Sequence, residues 1–164
     1  LDVRQTLKGQ YHAALAMLRQ EIERCPDDVW LSGEHPRGTW RIVYHALFYA
    51  HFYLQPSADD FVPWTKGREH VQYLTGSHEP PHELPPEVEP YSKADLLEYW
   101  SLIDGSVDET VDGLDLEATE CGFWWYKMAK LDHQFMNVRH IQQHVGQLSE
   151  RLYAAGVDLS WIGG

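Results

Sequence analysis

Four stretches of this chain carry apolar residues at the three-and-four spacing of a helix. The first is Val3 to Arg24, where Leu7, Tyr11, Ala14, Leu15, Leu18 and Ile22 share one face. Cys25-Pro26-Asp27-Asp28 ends it. The second runs from Trp40 to about Leu54, with Thr39 as its N-cap and Gln55-Pro56 as its stop. Ile42, Val43, Ala46, Leu47, Phe48, Ala50, Phe52 and Leu54 cover most of its circumference, so burial on most sides is expected. The third begins at Tyr91-Ser92, where Ser92 and Asp95 form a capping signature with Asp in place of the usual Glu. Leu96, Leu97, Tyr99, Trp100, Ile103, Val107 and Val111 carry it to about Gly113. The fourth spans about Lys127 to Ala155, and Gly156 is a natural C-terminal stop.

The connection between the second and third helices, residues 56–91, holds seven of the nine prolines. Within it, Lys66 to Leu74 is the piece with short-helix character. A connection of this length either does something or wraps over the bundle surface. Phe123-Trp124-Trp125-Tyr126 reads as a short strand, a loop or the entry to the last helix. With no βαβ alternation, hairpin signal or repeat, the pattern predicts an all-α fold. It is a single four-helix bundle domain over residues 1–164, with a long irregular connection between helices 2 and 3.

Composition narrows the function. The formal net charge is −12, from 25 acidic and 13 basic residues. Without a basic stripe, a nucleic-acid partner or an anionic membrane surface is not expected. Cys25 and Cys121 form no Cys-x-x-Cys pair, so neither a thiolate zinc site nor a redox pair is indicated. With no transmembrane run and no visible signal peptide, a cytoplasmic protein is expected. The 7 Trp and 9 Tyr suit a packed core. Trp64, Trp124 and Trp125 are candidates for a pocket mouth, with core packing the default for each.

The candidate chemistry lies on the fourth helix. His140 and His144 are one turn apart and point the same way, so two imidazoles can share one metal ion. His78 and His82 have the same spacing, but Pro80 and Pro81 between them argue against a helix. On a helical wheel, Leu131, Val138, Ile141, Val145, Leu148 and Leu152 make an apolar stripe. His133, Asn137, His140 and His144 make a second stripe along its edge. His133 lies about 10 Å from His140 along the axis and cannot easily share its ion. The second helix offers His45 and His51, which point about 120° apart. Its periodicity slightly favours His45, whose face also carries Tyr49 and Phe52. Asn137, Gln143, Gln147 and Tyr49 are candidates to orient the rings. Glu21, Glu69 and Glu79 are candidates for a general acid or base, and no spacing singles one out.

Trp40-Arg41-Ile42-Val43-Tyr44-His45-Ala46-Leu47-Phe48, followed by Met136-Asn137-Val138-Arg139-His140-Ile141-Gln142-Gln143-His144-Val145-Gly146-Gln147-Leu148, resembles the DinB-like (DinB/YfiT) superfamily of four-helix bundles. The resemblance covers the whole chain, and its last motif is the more specific. It implies a divalent metal held by His45, His140 and His144, with zinc or nickel ahead of iron or manganese. It further implies a metal-dependent enzyme acting on a small molecule, either a hydrolase or a transferase using a low-molecular-weight thiol cosubstrate. Related bundles often form homodimers, which exposed apolar surface on the first or third helix would permit. The alternatives are a bundle that binds metal or a small ligand without turnover, and a structural protein whose histidines hold no metal. The family motif identifies the metal site more closely than the reaction.

Overall fold

The computed structural model describes residues 2–31, 35, 37–74 and 88–163. His78, His82, Glu79 and the four prolines at 80, 81, 85 and 86 lie outside the described residues. The described residues form five α-helices and no strand: α1 (Val3–Arg24), α2 (Asp27–Trp30), α3 (Thr39–Leu54), α4 (Lys93–Gly113) and α5 (Lys130–Ala154). None of these helices is long and apolar enough to cross a membrane. The architecture is an all-α bundle. Helices α1 and α3 each pack against both α4 and α5, so α1 and α3 occupy one diagonal of the bundle.

Local chemistry explains where the helices begin and end. The Asp2 carboxylate accepts the Gln5 amide at the start of α1, and the chain leaves the helix at Cys25, before Pro26. Pro26 then precedes the single turn of α2, whose first positions, Asp27 and Asp28, suit the positive end of its dipole. The expected Ser92 cap is present, with the hydroxyl accepting the Asp95 amide. Gly156 ends α5 with φ 77°, a left-handed conformation that glycine adopts without penalty.

Two boundaries differ from expectation. Gly38 is the N-cap of α3, and Thr39 is its first helical residue, where its hydroxyl receives a hydrogen bond from Arg151. Helix α5 starts at Lys130 rather than Lys127, because the preceding segment is pinned elsewhere. The Lys130 amide donates to the Ala118 carbonyl, and its ammonium to the carbonyls of Gln55 and Pro56. Phe123–Tyr126 closes a tight turn, Tyr126 N–H to Phe123 carbonyl at 2.8 Å. Gly122, at φ 84°, admits Pro56 so closely that a Cβ would lie 2.4 Å from its carbonyl oxygen.

Twelve of the sixteen residues of α3 are buried, as its apolar circumference predicts. The core centres on that helix, with Leu47, Leu54, Leu15, Ile22, Tyr99, Val107, Ile141 and Leu148 all essentially sealed from solvent. Trp64 is part of it, stacked on Tyr99 with centroids 4.5 Å apart. A polar network also crosses this core. Asn137 donates to the Tyr11 hydroxyl and the Ala50 carbonyl, Tyr11 donates to Gln134, and Gln134 donates to the Tyr53 carbonyl. This network ties α1, α3 and α5 in one register, since a slip would strand its buried polar groups.

The stretch Lys66–Leu74 is turns, not a short helix. Gly67 N–H closes a turn onto the Trp64 carbonyl, and His70 takes φ 67°, which no right-handed helix accommodates. The stretch lies against the bundle. Val71 is buried, Lys66 pairs with Asp95 and Glu98, and Arg68 sits over the Tyr91 ring.

Candidate metal centre

The turns between Lys66 and Leu74 end against α3 in a regular way. Three successive backbone carbonyls are each held by a side chain. His45 Nδ1–H donates to Gln72 at 2.5 Å, Arg41 donates to Tyr73, and Arg37 donates to Leu74. His45 and Arg41 are one turn apart on α3, so they present their donors to an extended segment running alongside. The His45 ring is thereby fixed, and its tautomer with it. A carbonyl can only accept, so Nδ1 carries the proton and Nε2 offers a lone pair.

That Nε2 faces α5. It lies 3.1 Å from Nε2 of His140, which in turn lies 3.1 Å from Nε2 of His144. The ligand atoms of His45, His140 and His144 all fall within 4.8 Å of one another, close enough to hold a metal ion. On α5, His144 Nδ1–H donates to Gln147 Oε1 at 3.1 Å, which again turns Nε2 inward. Two inward lone pairs therefore meet at His140, whose single Nε2 proton can satisfy only one of them. A cation at the centre satisfies all three.

The two 3.1 Å separations suit such an ion, and His45 and His144 share it where their nitrogens lie within about 4.2 Å of each other. Two nitrogens each about 2.0–2.1 Å from a shared zinc and 3.1 Å apart subtend roughly 100°, between the tetrahedral and facial octahedral angles. The rings are also held in the protonation state a metal needs. Burial, reinforced by the neighbouring His144, pushes His45 down to about 2. Burial and His144 push His140 down to about 4, and burial lowers His144. All three are neutral at pH 7 and present lone pairs rather than charge.

The other candidate residues fall elsewhere. His51 bonds the Tyr99 hydroxyl at 3.1 Å on the far side of α3. His133 is fully buried and stacks on Phe123 with centroids 4.6 Å apart. Of the ring-orienting candidates, Gln147 bonds His144, and Tyr49 packs its ring on His45 and His140. Asn137 serves the core network, and Gln143 faces solvent. Glu21 is buried against the Ser149 hydroxyl, and burial pushes its carboxyl up to about 8. Glu69 is exposed beside His70. Among the described residues, neither glutamate joins the three histidines.

The Gln72 carbonyl was not foreseeable from the sequence. Its role depends on the backbone path, which the Gln side chain does not encode. Beside the histidines, Tyr49, Tyr53 and Gln72 form part of the wall of a cavity of about 720 Å³, together with Phe48, Phe52, Tyr73 and the 124–126 segment. Trp125 lines it half-exposed, and Trp124 is 86% exposed at its edge. These two tryptophans border this cavity, whereas Trp64 belongs to the core and also lines a separate cavity of about 300 Å³ with Tyr44, Phe48 and Phe61. No family model, curated protein or solved structure matches this chain.

Proposed function

We propose that this chain is a metal-dependent enzyme of the DinB-like four-helix superfamily, acting on a small molecule beside an ion held by His45, His140 and His144. The observation that carries this reading is the convergence of three imidazole Nε2 atoms, two of them turned inward by hydrogen bonds at Nδ1. A pair of histidines alone arises easily. A third from another helix, with its outer nitrogen anchored on a main-chain carbonyl, is what ligand positioning requires.

Zinc or nickel fits three neutral imidazoles best, with iron or manganese next. Bound there, a divalent ion supplies Lewis acidity undiminished by ligand charge, enough to acidify a water or a thiol near pH 7. The protein's own part is positioning. Gln72 and Gln147 lock two rings, burial keeps all three neutral, and Tyr49 closes one side against His45 and His140. Thiol transfer and hydrolysis both use this arrangement.

A bundle that holds metal and a small ligand without turnover uses the same residues, and turnover separates the two readings. Protein purified without a His tag and reconstituted with zinc is assayed with thiol-plus-electrophile pairs and with ester and amide substrates. The enzyme reading expects metal-dependent turnover that is lost in His140→Ala. Turnover that survives His140→Ala refutes the mechanism.

A further inference from the structure

The cavity beside the histidines has an unusual wall. Eight of its nine described lining residues are aromatic and the ninth is Gln72, so among the described residues no charged side chain lines it. Its size is that of a small-molecule site. None of the three histidines lines it, but three wall residues contact them. Tyr49 packs on His45 and His140, Tyr53 packs on His140, and the Gln72 carbonyl holds His45. Phe52 and Trp125 also line it, nearly parallel at 19° with centroids 6.0 Å apart, and Trp125 is 40% exposed.

From this we infer that the cavity seats an uncharged aromatic group of the substrate, with the reacting heteroatom directed at the histidines. The inference rests on the metal-site reading and adds the substrate class. The wall has ring faces and edges for stacking. Among the described residues it has no carboxylate to neutralise a cation and no basic side chain to pair with an anion. An aromatic wall alone also attracts organic cations. Here that preference is opposed by the dication expected beside Tyr49 and Tyr53. A flat neutral ring with one donor atom satisfies both ends of the site.

The test compares two ligands with the same donor atom, 1-methylimidazole and 1-benzylimidazole, on cobalt-loaded protein at about pH 8. Cobalt loading is first established by metal analysis and by the visible d–d bands, and binding is then read from the shift of those bands. The benzyl compound is expected to bind at least about tenfold tighter, the worth of burying much of one ring. Trp125→Ala is expected to remove most of that advantage while leaving 1-methylimidazole affinity and cobalt content unchanged. Phe52→Leu is expected to remove part of it. Equal affinity of the two ligands on protein that demonstrably holds cobalt overturns the aromatic seat and leaves the metal site standing. Benzyltrimethylammonium competing as well as 1-benzylimidazole overturns the assignment of an uncharged group. Failure of the protein to take up cobalt refutes the metal-site reading itself, and the inference falls with it.

Discussion

The hydrogen bond from His144 Nδ1–H to Gln147 Oε1 gives a sharp test of how the site is held. Gln147 is exposed on α5, one turn beyond His144, with its carbonyl oxygen 3.1 Å from the ring nitrogen. In Gln147→Leu the ring loses the acceptor that fixes its tautomer and orientation. A neutral hydrogen bond of this kind contributes about 0.5–1.5 kcal/mol, a factor of roughly 2 to 12 in affinity. Partners that orient metal ligands are typically worth about 10–100-fold. Because Gln147 is exposed, water partly replaces the lost bond, so the low end applies and zinc affinity should fall roughly tenfold. The assay is competition with a chromogenic chelator at fixed pH, alongside thermal unfolding of the metal-free protein. The unfolding curve should barely move, since the side chain packs on nothing in the core. Gln147→Glu should retain or tighten binding, because a carboxylate accepts the same proton more strongly. Zinc affinity unchanged in Gln147→Leu, with His144→Ala still abolishing binding, would refute the claim that this bond positions the ligand.

Other outcomes follow from the same structure. Gly122→Ala should destabilise the protein by roughly 2 kcal/mol or more, because it combines a φ of 84° with a Cβ 2.4 Å from the Pro56 carbonyl oxygen; an unchanged urea midpoint would contradict this. Asn137→Leu should cost about 2–3 kcal/mol, since it breaks two buried hydrogen bonds and leaves the Tyr11 hydroxyl without its donor; chemical denaturation measures it. Burial lowers both His51 and His133 to about 4. In each case the folded state binds fewer protons than an unfolded chain with pKa about 6.5, so stability is full above that value and is lost as pH falls from about 6.5 toward 4. His133→Phe should therefore weaken the acid-side loss of stability in metal-free protein while leaving zinc content intact. An unaltered pH slope would contradict the first half, and loss of zinc the second.

Much of this molecule is legible in the sequence because the helices announce themselves. The apolar positions of α1 recur at helical spacing, and all six that mark its face are buried. The Ser92 cap of α4 is a local interaction spanning three residues, so sequence alone suffices to see it. The pairing of His140 with His144 is equally local. Bringing His45 to them is a tertiary event, foreshadowed only by the core-directed face of α3 and by the family resemblance.

What stayed hidden shares one cause. The Gln72 carbonyl, the close approach of Gly122 to Pro56, and the start of α5 at Lys130 all depend on where an irregular segment crosses a helix. Side-chain periodicity says nothing about such crossings. The stretch from Lys66 to Leu74 has enough helix-compatible residues to suggest a helix, but His70 at φ 67° turns it into a run whose carbonyls face α3. The aromatic cavity is hidden for a related reason. Tyr49 and Tyr53 lie on α3 and Trp125 lies about 70 residues later, and only folding shows that they share a wall.

The most direct test of the central claim is the metal content of protein purified without a His tag and reconstituted with zinc, compared among the wild type, His45→Ala, His140→Ala and His144→Ala. The account predicts one ion per wild-type chain and far less than one in each variant, with helical content by circular dichroism preserved in all four. Wild-type protein that holds no stoichiometric metal, or a His45→Ala variant that holds as much as the wild type, would contradict it.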